Sequence, residues 1–130
     1  MASLRHELRI AASADAVWDI IKDPQSIPDW FPGVESCSVE GTTRILTTSN
    51  GMEIPEKILA VDPKLRRFAY RITAPLYTFH LGTIDVIALA VNDTLCVYST
   101  TAEPDALALI IAGATAEALV EVKRIAEMSK

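Results

Sequence analysis

The chain has 130 residues, of which 50% are hydrophobic, with a net charge of −5 at pH 7 and an isoelectric point near 4.9. This composition argues against disorder and favours one folded domain over residues 1–130, while the negative charge argues against a nucleic-acid partner. We see no secretory signal and no apolar run of the roughly 20 residues that a membrane span requires, so we expect a cytoplasmic protein without a transmembrane segment.

The first predicted elements are one strand and two short helices. "SLRHELRI" alternates between apolar and polar residues, which is typical of a half-buried strand with His6 on its apolar face. "SADAVWDIIKDP" predicts a short helix with Ser13 as its N-cap and an end at the Asp-Pro pair. "SIPDW" predicts a second, single-turn helix, which the "PG" at 32–33 must end.

From Val34 onward, short period-two runs are separated by turn residues, among them the hairpin signal Asn50-Gly51. We predict about six further strands in an antiparallel meander, followed by one long helix from Pro104 to Met128. The fold class is therefore α+β: a curved antiparallel sheet of about seven strands around a long C-terminal helix, with two short helices after the first strand.

The terminal helix has an acidic side and an apolar side. At 100° per residue, the apolar side is predicted to hold Leu107, Ile111, Ala114, Thr115, Ala118, Val122 and Ile125. Its small middle residues either let the helix approach the sheet closely or leave space for a ligand. Because a strongly curved sheet encloses more volume than one helix fills, we favour a ligand cavity.

Polar groups stand on the predicted inner faces of the strands. Tyr70 and Tyr98 alternate with apolar residues, and Glu56 shares a face with Ile54 and Ile58. An inward carboxylate must bond to a hydroxyl, a cation or a bound molecule, because burying it unpaired costs several kcal/mol. The alternative is a hairpin register shifted by one residue, which would turn Glu56 to solvent.

The remaining candidates for chemistry are histidines and cysteines. His6 is expected in the core or a cavity wall; His80, close to Tyr77, suits either a pocket rim or an exposed position. Cys37 and Cys96 lack the spacing of metal ligands and are expected to be small buried residues in a reducing compartment. Since we find no catalytic, phosphate-binding or metal-binding motif, we expect no metal and no cofactor.

Taken in order, "SADAVWDIIKDPQSIPDWFPGVESCSVEG", "NGMEIPEKILAVDPKLRRFAYRI", "APL" and "TLCVYSTTAEP" resemble the polyketide cyclase/dehydrase-like branch of the SRPBCC superfamily, which are START-like, helix-grip proteins. The resemblance implies a deep apolar cavity between sheet and terminal helix. Similar proteins bind lipids, sterols, polyketides, plant hormones or quinones, and some catalyse aldol cyclisation or dehydration. Trp30 matches the family's turn aromatic, Glu56 its strand glutamate, Tyr70 the aromatic of the next strand, and Tyr98 a position where relatives often have Trp. "LYTFHLG" departs from the family pattern.

Our first functional hypothesis is non-enzymatic binding of a small hydrophobic or amphipathic ligand, such as a lipid, a polyketide or an aromatic compound. Trp30 and Phe31 would roof one end of the cavity, although these rings can equally cap the core. The predicted ligand-binding residues are Trp30, Phe31, Glu56, Tyr70, Tyr77, His80, Tyr98, Ile111, Ala114, Thr115 and Ala118.

Two alternatives belong to other classes. One is a polyketide cyclase/dehydratase-type enzyme with Glu56 as the catalytic general base and Tyr70 or Tyr98 donating a hydrogen bond to an enolate. The other is a ligand-free homodimer, because the outer faces of "TLCVYST" and "TIDVIALAV" are more apolar than a free sheet face needs.

Overall fold

The computed structural model describes residues 1–128 and confirms the predicted α+β architecture. The elements are β1 (Ala2–Ile10), α1 (Ala14–Ile21), a 3₁₀ helix (Pro24–Asp29), β2 (Val34–Glu40), β3 (Thr43–Thr48), β4 (Glu53–Asp62), β5 (Arg67–Ile72), β6 (Phe79–Ala90), β7 (Asp93–Glu103) and α2 (Asp105–Met128). The strands form one antiparallel sheet in the order β1-β7-β6-β5-β4-β3-β2, which curves around α2. Within residues 1–128, no helix combines the length and apolarity needed to cross a bilayer.

The two short helices after β1 form for local reasons. Ser13 caps α1, since its Oγ accepts a hydrogen bond from the Ala16 N–H at 3.1 Å. Trp18 and the other apolar residues of α1 share one buried face. The second helix is of the 3₁₀ type and contains Pro28. Because proline has no backbone N–H to donate, it disfavours extension into a longer helix.

The hairpin that joins β3 and β4 has a three-residue loop, from 49 to 51. The Thr48 N–H donates to the Met52 carbonyl at 2.8 Å, and Gly51 adopts a φ of 85°. A glycine in this left-handed conformation is typical of three-residue hairpin loops. The resulting register places Arg44 directly opposite Glu56, so both side chains lie on the same face of the sheet.

The inner face of the sheet follows the predicted alternation. On β5, Phe68, Tyr70 and Ile72 are buried, and on β7 Tyr98 is buried between Cys96 and Thr100. His6 of β1 is half-buried opposite Tyr98.

Helix α2 packs mainly against β1 and β7 and also touches α1, so it covers one half of the curved sheet. Its buried stripe consists of Ala108, Ala112, Thr115, Ala118, Leu119, Val122 and Ala126. The prediction of this face was partly wrong: Leu107, Ile111, Ala114 and Ile125 are half-buried at the side of the stripe. The side chains of Ala108 and Ala112 are small enough for a close approach of the helix to the sheet, and a cavity lies beside the helix.

Candidate functional site

A cavity of about 200 Å³ lies beside α2, over strands β3 to β5. The segment after the 3₁₀ helix, residues 31–34, contributes four of its lining residues. Most of its lining is apolar, and the lining residues are Ile27, Phe31, Pro32, Gly33, Val34, Leu46, Thr48, Ile54, Glu56, Tyr70, Ile72, Ile111 and Ala114. Such a hollow, with few polar groups, is the usual form of a small-molecule site.

A buried ion pair stands in the wall of this cavity. Arg44 is 1% exposed and Glu56 is 3% exposed. Arg44 donates to Glu56 Oε1 from Nε at 3.0 Å and from a terminal nitrogen at 2.6 Å, and its other terminal nitrogen donates to the Pro24 carbonyl at 3.1 Å. The guanidinium also lies 5.2 Å from the Phe68 ring centroid and 5.4 Å from that of Tyr70, which adds cation–π attraction.

The two oxygens of the Glu56 carboxyl have different surroundings. Both hydrogen bonds from Arg44 go to Oε1, and among residues 1–128 nothing donates to Oε2. Oε2 is not among the fully enclosed, unpaired polar atoms of the described residues, and Glu56 borders the cavity. Burial raises the pKa of Glu56, and the positive charge of Arg44 opposes that rise.

Two tyrosines form a second buried polar pair. The hydroxyls of Tyr70 and Tyr98 are 2.5 Å apart, and burial raises the pKa of both phenols. Tyr70 borders the cavity, and its ring lies on Gly82, where an added Cβ would be 2.5 Å from Tyr70 Cζ. The glycine therefore makes room for the Tyr70 ring.

His80 is fully buried behind Tyr70. Its Nδ1 accepts a hydrogen bond from the Ile72 N–H at 2.8 Å, so a neutral His80 carries its proton on Nε2. Nε2 has no hydrogen-bond partner within residues 1–128 and the ring contacts those of Tyr70 and Tyr77, with centroids 5.4 and 5.5 Å away. Burial, with a smaller contribution from the charge of Arg71, lowers the pKa of His80 to about 4. His80 is therefore neutral at pH 7.

The two neighbouring rings of the "DWFPGV" turn have different positions. Phe31 borders the cavity, with its centroid 6.5 Å from that of Tyr98. Trp30 is 3% exposed and packs into the core beside Phe31, and both rings line an outer depression that also includes Glu121.

Five of the predicted ligand-binding residues border the cavity: Phe31, Glu56, Tyr70, Ile111 and Ala114. The others lie elsewhere in the described structure: Trp30 in the core, Tyr98, His80 and Tyr77 behind or beyond Tyr70, and Thr115 and Ala118 in the contact between α2 and the sheet.

Arg44 is the site residue that the sequence reasoning missed. In "TRILTT", Arg44 alternates with Leu46, a buried residue of the inner face, and this alternation was the available signal.

The sheet curved around a C-terminal helix, with a cavity between them, defines the START-like, helix-grip class of proteins. The chain belongs to the family described as polyketide cyclase / dehydrase and lipid transport, whose model matches residues 1–127. The expected resemblance to this family is thereby confirmed. No curated protein matches the sequence.

Several solved structures share the fold. The protein XoxI from Bacillus cereus is 26% identical, with a TM-score of 0.90, and the alignment covers 97% of this chain and 96% of that one. Norcoclaurine synthase from Thalictrum flavum, solved with dopamine and hydroxybenzaldehyde, is 24% identical with a TM-score of 0.78, covering 99% and 88% of the two chains. A START superfamily protein from Mycobacterium smegmatis is 16% identical with a TM-score of 0.80, covering 98% and 99%.

Proposed function

We propose that the protein binds a small hydrophobic or amphipathic molecule in the cavity over β3 to β5. The observation that carries this proposal is a mostly apolar cavity bordered by Glu56, whose Oε2 accepts no hydrogen bond from the described residues. Apolar walls supply the binding free energy, and a single polar group orients the ligand.

The cavity volume restricts the size of this ligand. An apolar cavity of roughly 150 Å³ binds benzene, whereas sites for drug-sized ligands span roughly 300–1,000 Å³. At about 200 Å³, the cavity fits a substituted single ring. A whole lipid or sterol would require α2 or the segment from 31 to 34 to move, so among the expected ligands the volume favours an aromatic compound.

A cavity-filling substitution tests the proposal. Ala114 borders the cavity, whereas Ala106, also on α2, is exposed. We expect Ala114→Phe to occupy the cavity and abolish binding of single-ring compounds in a ligand-observed NMR screen, and Ala106→Phe to leave binding unchanged. Native mass spectrometry of the protein from its own host identifies a retained ligand. If no compound binds the wild type, or if both variants behave alike, the cavity is not a binding site.

The free oxygen of Glu56 also favours a second candidate, a cyclase/dehydratase-type enzyme. Burial raises the pKa of Glu56, as a general base requires, and Tyr70, whose hydroxyl bonds to that of Tyr98, borders the same cavity. Because Glu56→Gln alone would leave Arg44 unpaired, the informative variant is Arg44→Met/Glu56→Gln. Loss of turnover with retained ligand affinity supports an enzyme; in a pure binding protein, no bound compound is converted.

Dimer formation and cytoplasmic location remain further proposals. Ile87 and Leu89 of β6 are 44% and 50% exposed, and Val91 in the turn that follows is 84% exposed, a feature that supports a dimer surface. Light scattering at micromolar concentration that shows only a monomer rejects the dimer. Cys37 and Cys96 are both free thiols, which is compatible with the reducing cytoplasm.

A further inference from the structure

The polar wall of the cavity is electrically balanced. Arg44 carries one positive charge and Glu56 can carry one negative charge, and two hydrogen bonds join them. Among the described lining residues, Glu56 is the only one with a charged side chain. The neighbouring Tyr70, Tyr98 and His80 are neutral at pH 7, since burial disfavours their charged forms. A ligand therefore meets a site whose net charge is zero.

We infer that this cavity selects electrically neutral, ring-sized ligands that carry one O–H or N–H donor, and that this group donates to Glu56 Oε2. Phenols, small alcohols and neutral aromatic amines belong to this class. The inference rests on the proposed binding function, and it adds the chemical class of the ligand.

The preference for a donor follows from the unpaired oxygen. Glu56 Oε2 accepts nothing from residues 1–128, and a ligand without a donor covers it with apolar atoms and leaves it desolvated. A ligand with a donor replaces the water that this oxygen loses. We expect a donor to improve affinity at least ~10-fold over a ligand of equal shape without one.

The preference for neutrality follows from the balanced pair. A ligand ammonium would leave one buried positive charge in excess, because Arg44 already compensates Glu56. A ligand carboxylate would place a second anion beside Glu56 Oε2, where like charges repel in a medium of low dielectric constant. Each charged ligand must therefore give up its hydration without a matching counter-charge.

Four probes of similar size separate these requirements. We would titrate the wild type with para-ethylphenol, para-ethyltoluene, protonated para-methylbenzylamine and para-methylbenzoate at pH 7, following protein NMR shifts. We expect para-ethylphenol to bind at least ~10-fold more tightly than para-ethyltoluene, and both ions to bind more weakly than para-ethyltoluene. Equal affinity of the phenol and the hydrocarbon, or tighter binding of either ion, overturns this inference but retains the cavity as a binding site. If none of the four binds, the inference and the proposed function fail together.

A double substitution assigns the preference to the ion pair. Arg44→Met/Glu56→Leu removes both charges, and we expect it to bind para-ethyltoluene at least as well as the wild type while losing the ~10-fold preference for the phenol. The matched control is Arg67→Met/Asp85→Leu, the same change at a partly exposed ion pair on the sheet, which should keep the preference. Retention of the preference in the first double variant overturns the role of Glu56. The wild-type titrations test the ligand class even if that variant does not fold.

Discussion

Breaking the Arg44–Glu56 pair from either side should destabilise the protein, but by different amounts. Both residues are almost fully buried, and removing one partner of such a pair typically costs about 3–5 kcal/mol. A total stability of about 5–15 kcal/mol is usual for a domain of this size. We expect Glu56→Leu to lose about 4 kcal/mol, because the guanidinium left behind does not give up its proton.

Arg44→Met should cost less, about 2–3 kcal/mol at pH 7, because the Glu56 carboxyl that remains can neutralise itself by binding a proton. The double variant Arg44→Met/Glu56→Leu removes both charges and should lie within about 2 kcal/mol of the wild type. The coupling free energy of the cycle is then at least about 4 kcal/mol.

The pH dependence of the stability of Arg44→Met provides a second, independent test of the buried pair. Burial already raises the pKa of Glu56 in the wild type, and loss of the Arg44 charge raises it further. A carboxyl whose pKa is higher in the folded state binds more protons there than in the unfolded state, so stability falls as pH rises. Relative to the wild type, Arg44→Met should therefore gain stability on acidification from pH 7 to 5, by at most about 1.4 kcal/mol per pH unit.

Urea denaturation of the four proteins at pH 5, 6 and 7 measures all these quantities. Taking the difference from the wild type at each pH cancels the contributions of other titrating groups. Single-variant losses below about 1 kcal/mol, or an Arg44→Met difference that does not change with pH, would refute the burial of this pair in a medium of low dielectric constant.

Three further predictions concern other buried positions. Because the pKa of His80 is about 4 in the folded state, against 6.5 for an exposed histidine, we expect the contribution of His80 to stability to be complete above pH 6.5 and to fall by roughly 3 kcal/mol toward pH 4. The stability difference between the wild type and His80→Asn, measured by urea denaturation, should follow this pH dependence, and a difference that does not change with pH would contradict the assignment. Gly82→Ala places a methyl group 2.5 Å from Tyr70 Cζ and should cost about 2–3 kcal/mol, whereas Gly113→Ala, on α2 with open space around it, should gain about 0.5–1 kcal/mol. Burial raises the pKa of Cys96 to about 12, so a thiol reagent at pH 8 should modify it only after unfolding, as mass spectrometry of the labelled protein can show.

Local sequence patterns were sufficient for the elements and much of the core. Alternation in "RFAYRI" predicted which side of β5 is buried, and Ser13 predicted the start of α1. Both features depend only on residues close in sequence. Side chains alternate in direction along a strand, and the unpaired N–H groups at a helix start donate to a nearby side chain as their hydrogen-bond partner. The fold class followed because only one element was long enough to cover so curved a sheet.

The direction of Glu56 was left open by the sequence, and the β3–β4 hairpin decides it. The Asn50-Gly51 pair is compatible with a two-residue loop, in which Arg44 would oppose Lys57. The three-residue loop of the structure shifts the pairing by one residue and places Arg44 opposite Glu56. Direct cross-strand neighbours share a face of the sheet. A difference of one residue in loop length therefore decides whether Arg44 pairs with Glu56 or faces the like charge of Lys57.

Only the tertiary structure shows the position of the cavity. The sequence determined that α2 has an apolar side rich in small residues, but not which part of the sheet that side touches. Helix α2 contacts β1 and β7, Ala108 and Ala112 are buried, and Ile111 and Ala114 lie at the edge of a gap over β3 to β5. The physical reason is that the rotation and placement of a helix depend on how its surface fits the side chains it meets, and these come from distant parts of the chain.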